Sequence, residues 1–161
     1  GIKERKYTDP SLNTSDLAAQ AAKIAIDDAQ IDPESLDYII LAQNVGDITA
    51  HSDQSDALPS VASRVKAKLG INNPKCVAYD LIFGCPGWVE GMIHANALIK
   101  AGVASRCLVI ASETLSRVTD PHDRDSMIYA DGAGATIVEK SNSIPGILSH
   151  ATATFTSEGE A

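Results

Sequence analysis

The sequence is poor in cysteine and in aromatic residues, and it lacks any long hydrophobic run. Its 161 residues include 3 cysteines, an odd number without a Cys-x-x-Cys pair, so neither a disulfide framework nor a zinc or dithiol redox site is expected. No apolar run approaches the roughly 18 to 20 residues of a membrane helix, and no apolar stretch after a charged start suggests a secretory signal. The expected compartment is therefore the cytoplasm.

Positive charge is also scarce. The 13 Lys and Arg residues face 21 Asp and Glu residues, so the formal net charge is -8, which disfavours a nucleic-acid-binding surface. Hydrophobic residues make up 44% and charged residues 21%, as in an ordinary globular domain, which excludes a disordered chain. The chain begins at Gly1 without Met and stops at Ala161 in a segment that completes no element. We therefore expect one domain over residues 1–161 that is cut from a longer protein at both ends.

Helix and strand patterns alternate along the chain. Apolar residues at helical spacing predict helices at about residues 14–30, 59–70 and 86–101, each bounded by capping residues, proline or glycine. Runs rich in β-forming residues predict strands at 38–42, 76–81, 106–112 and, after a glycine-rich turn at 131–134, 135–139. This order predicts an α/β fold with a mostly parallel sheet that is covered on both faces.

Two polar stretches are expected to face solvent. Residues 43–57 contain Gly46, His51 and three aspartates, and they predict an exposed loop of a length that is often functional. The basic residues of the second helix, Arg64, Lys66 and Lys68, are expected to form its solvated face.

The sharpest local signal is the segment Gly84-Cys85-Pro86-Gly87-Trp88 between a predicted strand and a predicted helix. Pro86 suits the first helical position, so Cys85 is expected at or beside the N-cap. Unpaired backbone N–H groups and the helix dipole stabilise a thiolate at that place. The competing interpretation is that Cys85 is a small hydrophobic residue in a tight turn.

The helix that follows carries apolar residues on most sides and is expected to be central and buried. A helix that points its N-terminus at a thiol resembles the nucleophile elbow of Gly-x-Ser-x-Gly hydrolases. His94 lies nine residues after Cys85, about 13 Å along the helix axis, which is too far for proton transfer.

The remaining cysteines and histidines favour structural interpretations. Cys76 and Cys107 lie in apolar strands and are expected to be inert packing residues. For His51, His122 and His150 a solvated side chain is expected, and no metal-ligand spacing appears. The segment 131–135, Asp-Gly-Ala-Gly-Ala, lacks the third glycine and the following helix of a dinucleotide-binding fingerprint.

Taken together, these motifs resemble the thiolase-fold condensing enzymes, and most closely the 3-oxoacyl-acyl-carrier-protein synthase III family. The resemblance spans nearly the whole chain and keeps the family's order and nearly its spacing. It departs at Pro86, where the family often has Ala, in one residue fewer between Arg124 and Asp131, and in a longer loop before Leu58. The matching segments are residues 1–5, 78–80, 84–88, 112–117, 120–124, 131–135 and 145–147.

The resemblance implies a thiolase-like αβα half-domain with a buried helix that bears the nucleophile. It implies that Cys85 takes an acyl group from acyl-coenzyme A, and that the carbanion formed by decarboxylation of malonyl-acyl-carrier protein then attacks the thioester. A His and an Asn that assist this step are expected beyond Ala161. No metal or redox cofactor is implied, because coenzyme A enters as part of the substrate.

The resemblance also implies substrate-binding residues and a dimer. Arg124 matches an arginine of the coenzyme A tunnel, Leu115 and Tyr129 match positions of the acyl pocket, and Leu58 matches an apolar residue that enters the pocket from the partner subunit. The strand at 106–112 is expected to pair across the two-fold axis of a homodimer.

Other functions remain open at this point. One is another condensing enzyme of the same fold, either a polyketide starter synthase or a relative of hydroxymethylglutaryl-coenzyme A synthase. The latter uses a Glu as general acid or base, which Asp47, Asp53 and Asp56 do not clearly replace. The other is a non-catalytic module that keeps the fold and the cysteine.

Overall fold

A four-stranded sheet organises the computed structural model, which describes residues 2–48, 54–142 and 146–156. Three short 3-10 helices connect its regular elements, at Pro33–Ser35, Leu115–Arg117 and Arg124–Ile128. The helices and strands in chain order are α1 (Thr14–Ala29), β1 (Tyr38–Ala42), α2 (Val61–Lys68), β2 (Val77–Leu81), α3 (Gly87–Lys100), β3 (Arg106–Thr114) and β4 (Asp131–Glu139).

The strand order in the sheet is β2-β1-β3-β4. Strand β1 is parallel to both neighbours, so that Ile40 lies opposite Tyr79 on one side and Val109 on the other. Strand β4 is antiparallel to β3 along its full length. The predicted α/β fold with a mostly parallel sheet is confirmed, with β4 as the exception.

The sheet is covered on both faces, as predicted. Alternate residues of β1 point to opposite sides, so Ile39 and Leu41 pack with α1 and α2 while Ile40 packs with α3. These two apolar clusters form the layers of an αβα arrangement. Within the described residues, no helix is both long and apolar enough to cross a membrane.

The predicted turn at 131–134 is instead the first half of β4. Gly132 lies opposite Glu113 of β3, and Gly134 lies opposite Ala111. The pattern was misleading because glycine is depleted in strands and enriched in turns, whereas here the long neighbouring strand β3 supplies the pairing. A dinucleotide-binding loop would lead into a helix, so the strand found here agrees with the absence of that fingerprint from the sequence.

The expectation that β3 pairs across a dimer axis is wrong. Strand β3 lies inside the sheet, where β1 and β4 occupy both of its edges. An all-apolar strand is typical of the centre of a parallel sheet as well as of a buried interface, so its composition alone did not distinguish the two. In the described sheet the outer strands are β2 and β4.

Helix α2 begins two residues later than predicted, because its N-terminus is held from outside the helix. The carboxylate of Asp80, at the end of β2, accepts hydrogen bonds of 2.8 Å from the backbone N–H groups of Val61 and Ala62. Ser60 is the N-cap residue, and Pro59 precedes it after a cis peptide bond. Asp80 thus fixes α2 against the strand that leads to Cys85.

Arg64 and Lys66 of α2 are partly buried, contrary to expectation, and Lys68 alone of the three basic residues is exposed. Arg64 is only 18% exposed and forms ion pairs with Asp47 at 3.0 Å and Asp56 at 2.8 Å. It also donates to the carbonyl oxygen of Leu58. Lys66 donates to two carbonyl oxygens near the start of β2.

The loop after β1 is also less exposed than predicted. Gln43, Asp47 and Ile48 are buried, and Asp47 accepts hydrogen bonds from both the N–H and the hydroxyl of Ser15 at 2.8 Å. His51 and Asp53 lie outside the described residues. The loop therefore begins as part of the core, tied to the N-terminus of α1.

Helix α3 approaches the sheet through a stripe of small residues, Gly87, Gly91 and Ala95. A Cβ atom at Gly91 would lie 2.9 Å from Cγ1 of Val109, and one at Gly87 would lie 2.8 Å from Cβ of Ala42. Only this face of the helix is buried, because the described chain packs nothing else over Trp88 and Val89, which are 38% and 53% exposed. The expected central, buried helix is therefore buried on its sheet-facing side but exposed at Trp88 and Val89.

We predict that Gly91→Ala destabilises the protein. A Cβ atom 2.9 Å from Val109 overpacks the contact, and the cost of up to about 3 kcal/mol exceeds the gain of about 1 kcal/mol in helix propensity. Urea denaturation should show a lower free energy of unfolding. Gly134→Ala is the matched control, since a Cβ atom there meets no atom within 4 Å. Equal or greater stability of Gly91→Ala would contradict the close approach of α3 to the sheet.

Candidate active site

Cys85 lies exposed in a tight turn between β2 and α3. Gly84 has a φ of 68°, a backbone conformation that other residues rarely adopt, and its carbonyl oxygen accepts a 3.0 Å hydrogen bond from Gly87 N–H. Pro86 is the N-cap residue rather than the first helical residue, so Cys85 immediately precedes the cap. The predicted position of the thiol beside the helix N-terminus is confirmed.

The turn is also fixed from the side by Asn44, which follows β1. Its Oδ1 accepts a 3.0 Å hydrogen bond from Gly84 N–H, and its Nδ2 donates a 2.6 Å hydrogen bond to Oε1 of Glu113 on β3. Among the described residues, the backbone N–H of Cys85 itself donates no hydrogen bond. Both the thiol and this N–H are therefore available to a ligand.

The other two thiols are buried and poorly suited to react. Cys76 is 2% exposed and Cys107 is fully buried in β3. Burial raises the pKa of the Cys76 thiol, and it raises the pKa of Cys107 to about 12. Because the thiolate is the nucleophile, both residues are expected to stay unreactive near neutral pH.

The described histidines provide no base for Cys85. His94 on α3 contacts Glu90 and the hydroxyl of Tyr79, each at 3.4 Å, and His122 is exposed beside Asp120. His150 is also exposed. Within the described ranges, no group of three or more His, Cys, Asp or Glu side chains is placed to hold a metal ion.

Known proteins of one enzyme family are similar to this chain in sequence and in structure. A family model described as 3-oxoacyl-[acyl-carrier-protein (ACP)] synthase III matches residues 79–155. The β-ketoacyl-[acyl-carrier-protein] synthase III of Caldanaerobacter subterraneus subsp. tengcongensis is 41% identical over 149 residues, which are 92% of this chain and 42% of that protein. The solved 3-oxoacyl-[acyl-carrier-protein] synthase III of Aquifex aeolicus gives a TM-score of 0.78 at 36% identity, over 88% of this chain and 43% of that chain.

Residues 79–155 of this chain thus match the 3-oxoacyl-[acyl-carrier-protein] synthase III family. The chain spans about 42% of the length of the curated relative described above. A priming β-ketosynthase of a polyketide biosynthetic pathway is also similar, with a TM-score of 0.77 at 26% identity over 91% of this chain and 41% of that chain. The resemblance inferred from the sequence is thus confirmed, and so is the thiolase-like fold.

The four substrate-binding residues expected from the synthase III resemblance lie at the surface or near it. Leu58 is 84% exposed, and the side chain of Arg124 is 93% exposed at the start of a 3-10 helix. Tyr129 is exposed after the same helix, and Leu115 is half-buried directly after β3. The described residues therefore do not enclose them in one pocket, and their roles stay predictions.

A shallow groove of about 150 Å³ lies beside the turn that contains Cys85. It is lined by Phe83, Pro86, Val89, Glu90 and Ile93 together with residues 151–153. Thr152 donates a 3.1 Å hydrogen bond to Oε2 of Glu90. The groove contains none of the four predicted binding residues, and its apolar wall is the exposed face of α3.

Sequence reasoning missed Asn44 and Glu113 as parts of the nucleophile turn. Glu113 lies within the motif 112–117 that carried the resemblance, and both residues directly follow or end central strands. Because the carboxyl ends of parallel strands meet at one edge of a sheet, polar residues at those ends are a signal that was available.

We predict that iodoacetamide modifies Cys85 alone in the folded protein. The exposed thiol is accessible, whereas burial keeps Cys76 and Cys107 protonated and shielded. Peptide mass spectrometry after timed labelling at mildly alkaline pH measures each rate. In urea all three thiols should react, which serves as the control. Equal labelling of the three thiols in the native state would contradict the assignment.

Proposed function

We propose that this chain supplies the nucleophile of a 3-oxoacyl-acyl-carrier-protein synthase III, an acyltransferase that initiates fatty acid biosynthesis. The observation that carries the proposal is the exposed thiol of Cys85 before the N-terminus of α3, with its own N–H unpaired among the described residues. Similarity to the synthase III family supports the same role. In this proposal the chain is the N-terminal thiolase-like half of a longer protein.

The first half-reaction is transfer of an acyl group to Cys85. The thiolate attacks the thioester carbonyl of acyl-coenzyme A, and the resulting oxyanion accepts a hydrogen bond from the N–H of Cys85. Collapse of the tetrahedral intermediate expels coenzyme A as a thiolate, which takes up a proton, and leaves an acyl-cysteine. A helix N-terminus stabilises negative charge at this place, and a thiolate is both a good nucleophile and a good leaving group.

The second half-reaction is a decarboxylative Claisen condensation. Malonyl-acyl-carrier protein loses carbon dioxide, its carbanion attacks the acyl-cysteine, and the Cys85 thiolate is released with formation of the 3-oxoacyl product. The His and Asn expected to stabilise the enolate belong to the part of the protein after residue 161. The reaction requires no metal or redox cofactor in this proposal.

We further propose that the full-length protein is a cytoplasmic homodimer. The side chain of Leu58 is exposed, while its backbone carbonyl oxygen accepts a hydrogen bond from Arg64 that fixes the segment. An exposed apolar side chain on a fixed segment is suited to contact a partner subunit. Since β3 is internal, a sheet that continues into a partner subunit joins one of the outer strands. Unpaired strand edges favour such association.

A second candidate function is priming of polyketide synthesis by the same acyl-cysteine chemistry. The similarity to a priming β-ketosynthase is the observation that favours it. A hydroxymethylglutaryl-coenzyme A synthase role is less well supported, because Asp47 and Asp56 are engaged in ion pairs with Arg64. The turnover rate can be measured with the carrier protein of fatty acid synthesis and with that of polyketide synthesis at equal concentration. The faster substrate distinguishes initiation of fatty acid synthesis from priming of polyketide synthesis.

We predict that Cys85→Ser abolishes formation of the acyl-enzyme in the full-length protein. Incubation with acetyl-coenzyme A should add one acetyl group to the wild-type protein, as measured by intact mass. Cys107→Ser is the matched control and should be acylated at close to the wild-type rate. A wild-type protein that is not acylated by acyl-coenzyme A would point to a non-catalytic module.

We predict that Leu58→Trp shifts primer preference toward the shortest acyl-coenzyme A, because a larger side chain would shorten a pocket that Leu58 caps from the partner. The kcat/KM values for acyl-coenzyme A thioesters of increasing chain length measure this shift. Alkylation of Cys85 by iodoacetamide should be unchanged. An active monomer in sedimentation experiments at micromolar concentration would refute both the dimer and the role of Leu58.

A further inference from the structure

A chain of hydrogen bonds connects the end of β3 to the nucleophile turn. Oε1 of Glu113 accepts a 2.6 Å hydrogen bond from Nδ2 of Asn44, and Oδ1 of Asn44 accepts a 3.0 Å hydrogen bond from Gly84 N–H. Asn44 thus uses both ends of its amide group, and each end has a partner on a different segment. The carboxyl of Glu113 therefore fixes which way the Asn44 amide points.

The carboxyl of Glu113 is not satisfied by this contact alone. Its Oε2 is buried and has no hydrogen-bond partner among the described residues. Burial raises the pKa of Glu113, and the hydrogen bonds from Asn44 oppose that change. A buried oxygen without a partner carries a desolvation penalty, so a carboxyl whose task was only to fill space would be a poor choice.

The hydrogen bond to Gly84 acts on the backbone that places Cys85. With a φ of 68°, Gly84 sits in a conformation reached chiefly by glycine, and the neighbouring peptide group carries the N–H of Cys85. Glycine is also the most flexible residue, so the conformation needs an external contact to select it. Asn44 provides that contact on one side, and the hydrogen bond from Gly87 to the Gly84 carbonyl provides it on the other.

We propose that Glu113 is a positioning residue for Cys85, acting through Asn44 on the backbone of Gly84. It holds the turn in the conformation that aims the thiol and the N–H of Cys85 at the same carbonyl group. The inference deepens the proposed function and rests on it for the reaction. Glu113 itself takes no part in bond making.

The test compares acyl transfer by Asn44→Ala, Glu113→Ala, their double variant and Glu113→Gln in the full-length protein. Burst kinetics with acetyl-coenzyme A give the kcat and KM of acyl-enzyme formation. Misalignment of an oxyanion donor lowers the rate of the chemical step, so each alanine variant should lose about 10-fold or more in kcat with little change in KM. The double variant should lose no more than either single one, because the two residues act in one chain.

Glu113→Gln provides a rescue, because its amide oxygen accepts the same hydrogen bond from Asn44. Its kcat should stay within about 2-fold of wild type. This variant also keeps the proposal testable if Glu113→Ala folds poorly. A loss in Glu113→Gln as large as in Glu113→Ala would overturn the acceptor role.

Asp37→Ala is the matched control for loss of a carboxylate. Asp37 precedes β1 at the opposite end of the sheet, where it accepts hydrogen bonds from the N–H groups of Ser105 and Arg106 at 2.7 and 3.1 Å. This variant should lower the melting temperature without changing the kcat of acylation. Wild-type kcat in Asn44→Ala and Glu113→Ala would overturn the positioning role, whereas failure of the wild-type protein to be acylated would refute the proposed function instead.

Discussion

The close approach of α3 to the sheet is the contact on which the site depends. Gly87 lies against Ala42 at the end of β1, and Gly91 lies against Val109 in β3, both at distances that leave no room for a Cβ atom. Because the turn before Gly87 is only a few residues long, this contact also decides where Cys85 stands. A helix that carried larger residues on this face would move outward and take the nucleophile with it.

The second feature of the site is the polar edge of the sheet. Gln43 and Asn44 follow β1, Asp80 lies near the end of β2, and Glu113 lies near the end of β3. Asp80 binds the N-terminus of α2, while Asn44 binds the turn before α3 and Glu113 binds Asn44. Parallel strands bring their carboxyl ends together at one edge of the sheet, so the polar residues of these otherwise apolar strands lie close together there.

The exposed face of α3 and the exposed residues predicted to bind substrate have one explanation in the proposed function. Trp88, Val89 and Leu58 are apolar and exposed, and the chain spans about 42% of the length of a curated relative. In the proposed whole protein, the remaining half and a partner subunit cover these surfaces. The described part of this chain thus holds the proposed nucleophile and its proposed positioning groups, but no base for the thiol.

The sequence by itself determined most of the elements and singled out Cys85 among the three thiols. A short run of β-forming residues placed β1 at 38–42, proline and glycine bounded α3, and the neighbourhood of Cys85 separated it from the buried Cys76 and Cys107. Tertiary structure decided the rest, because pairing and packing join residues far apart in the chain. In the tertiary structure β3 lies inside the sheet, residues 131–134 are part of β4, and Arg64 forms an ion pair with Asp47. The tertiary structure also joins Asn44 to Glu113, a contact between residues 69 positions apart that no local pattern encodes.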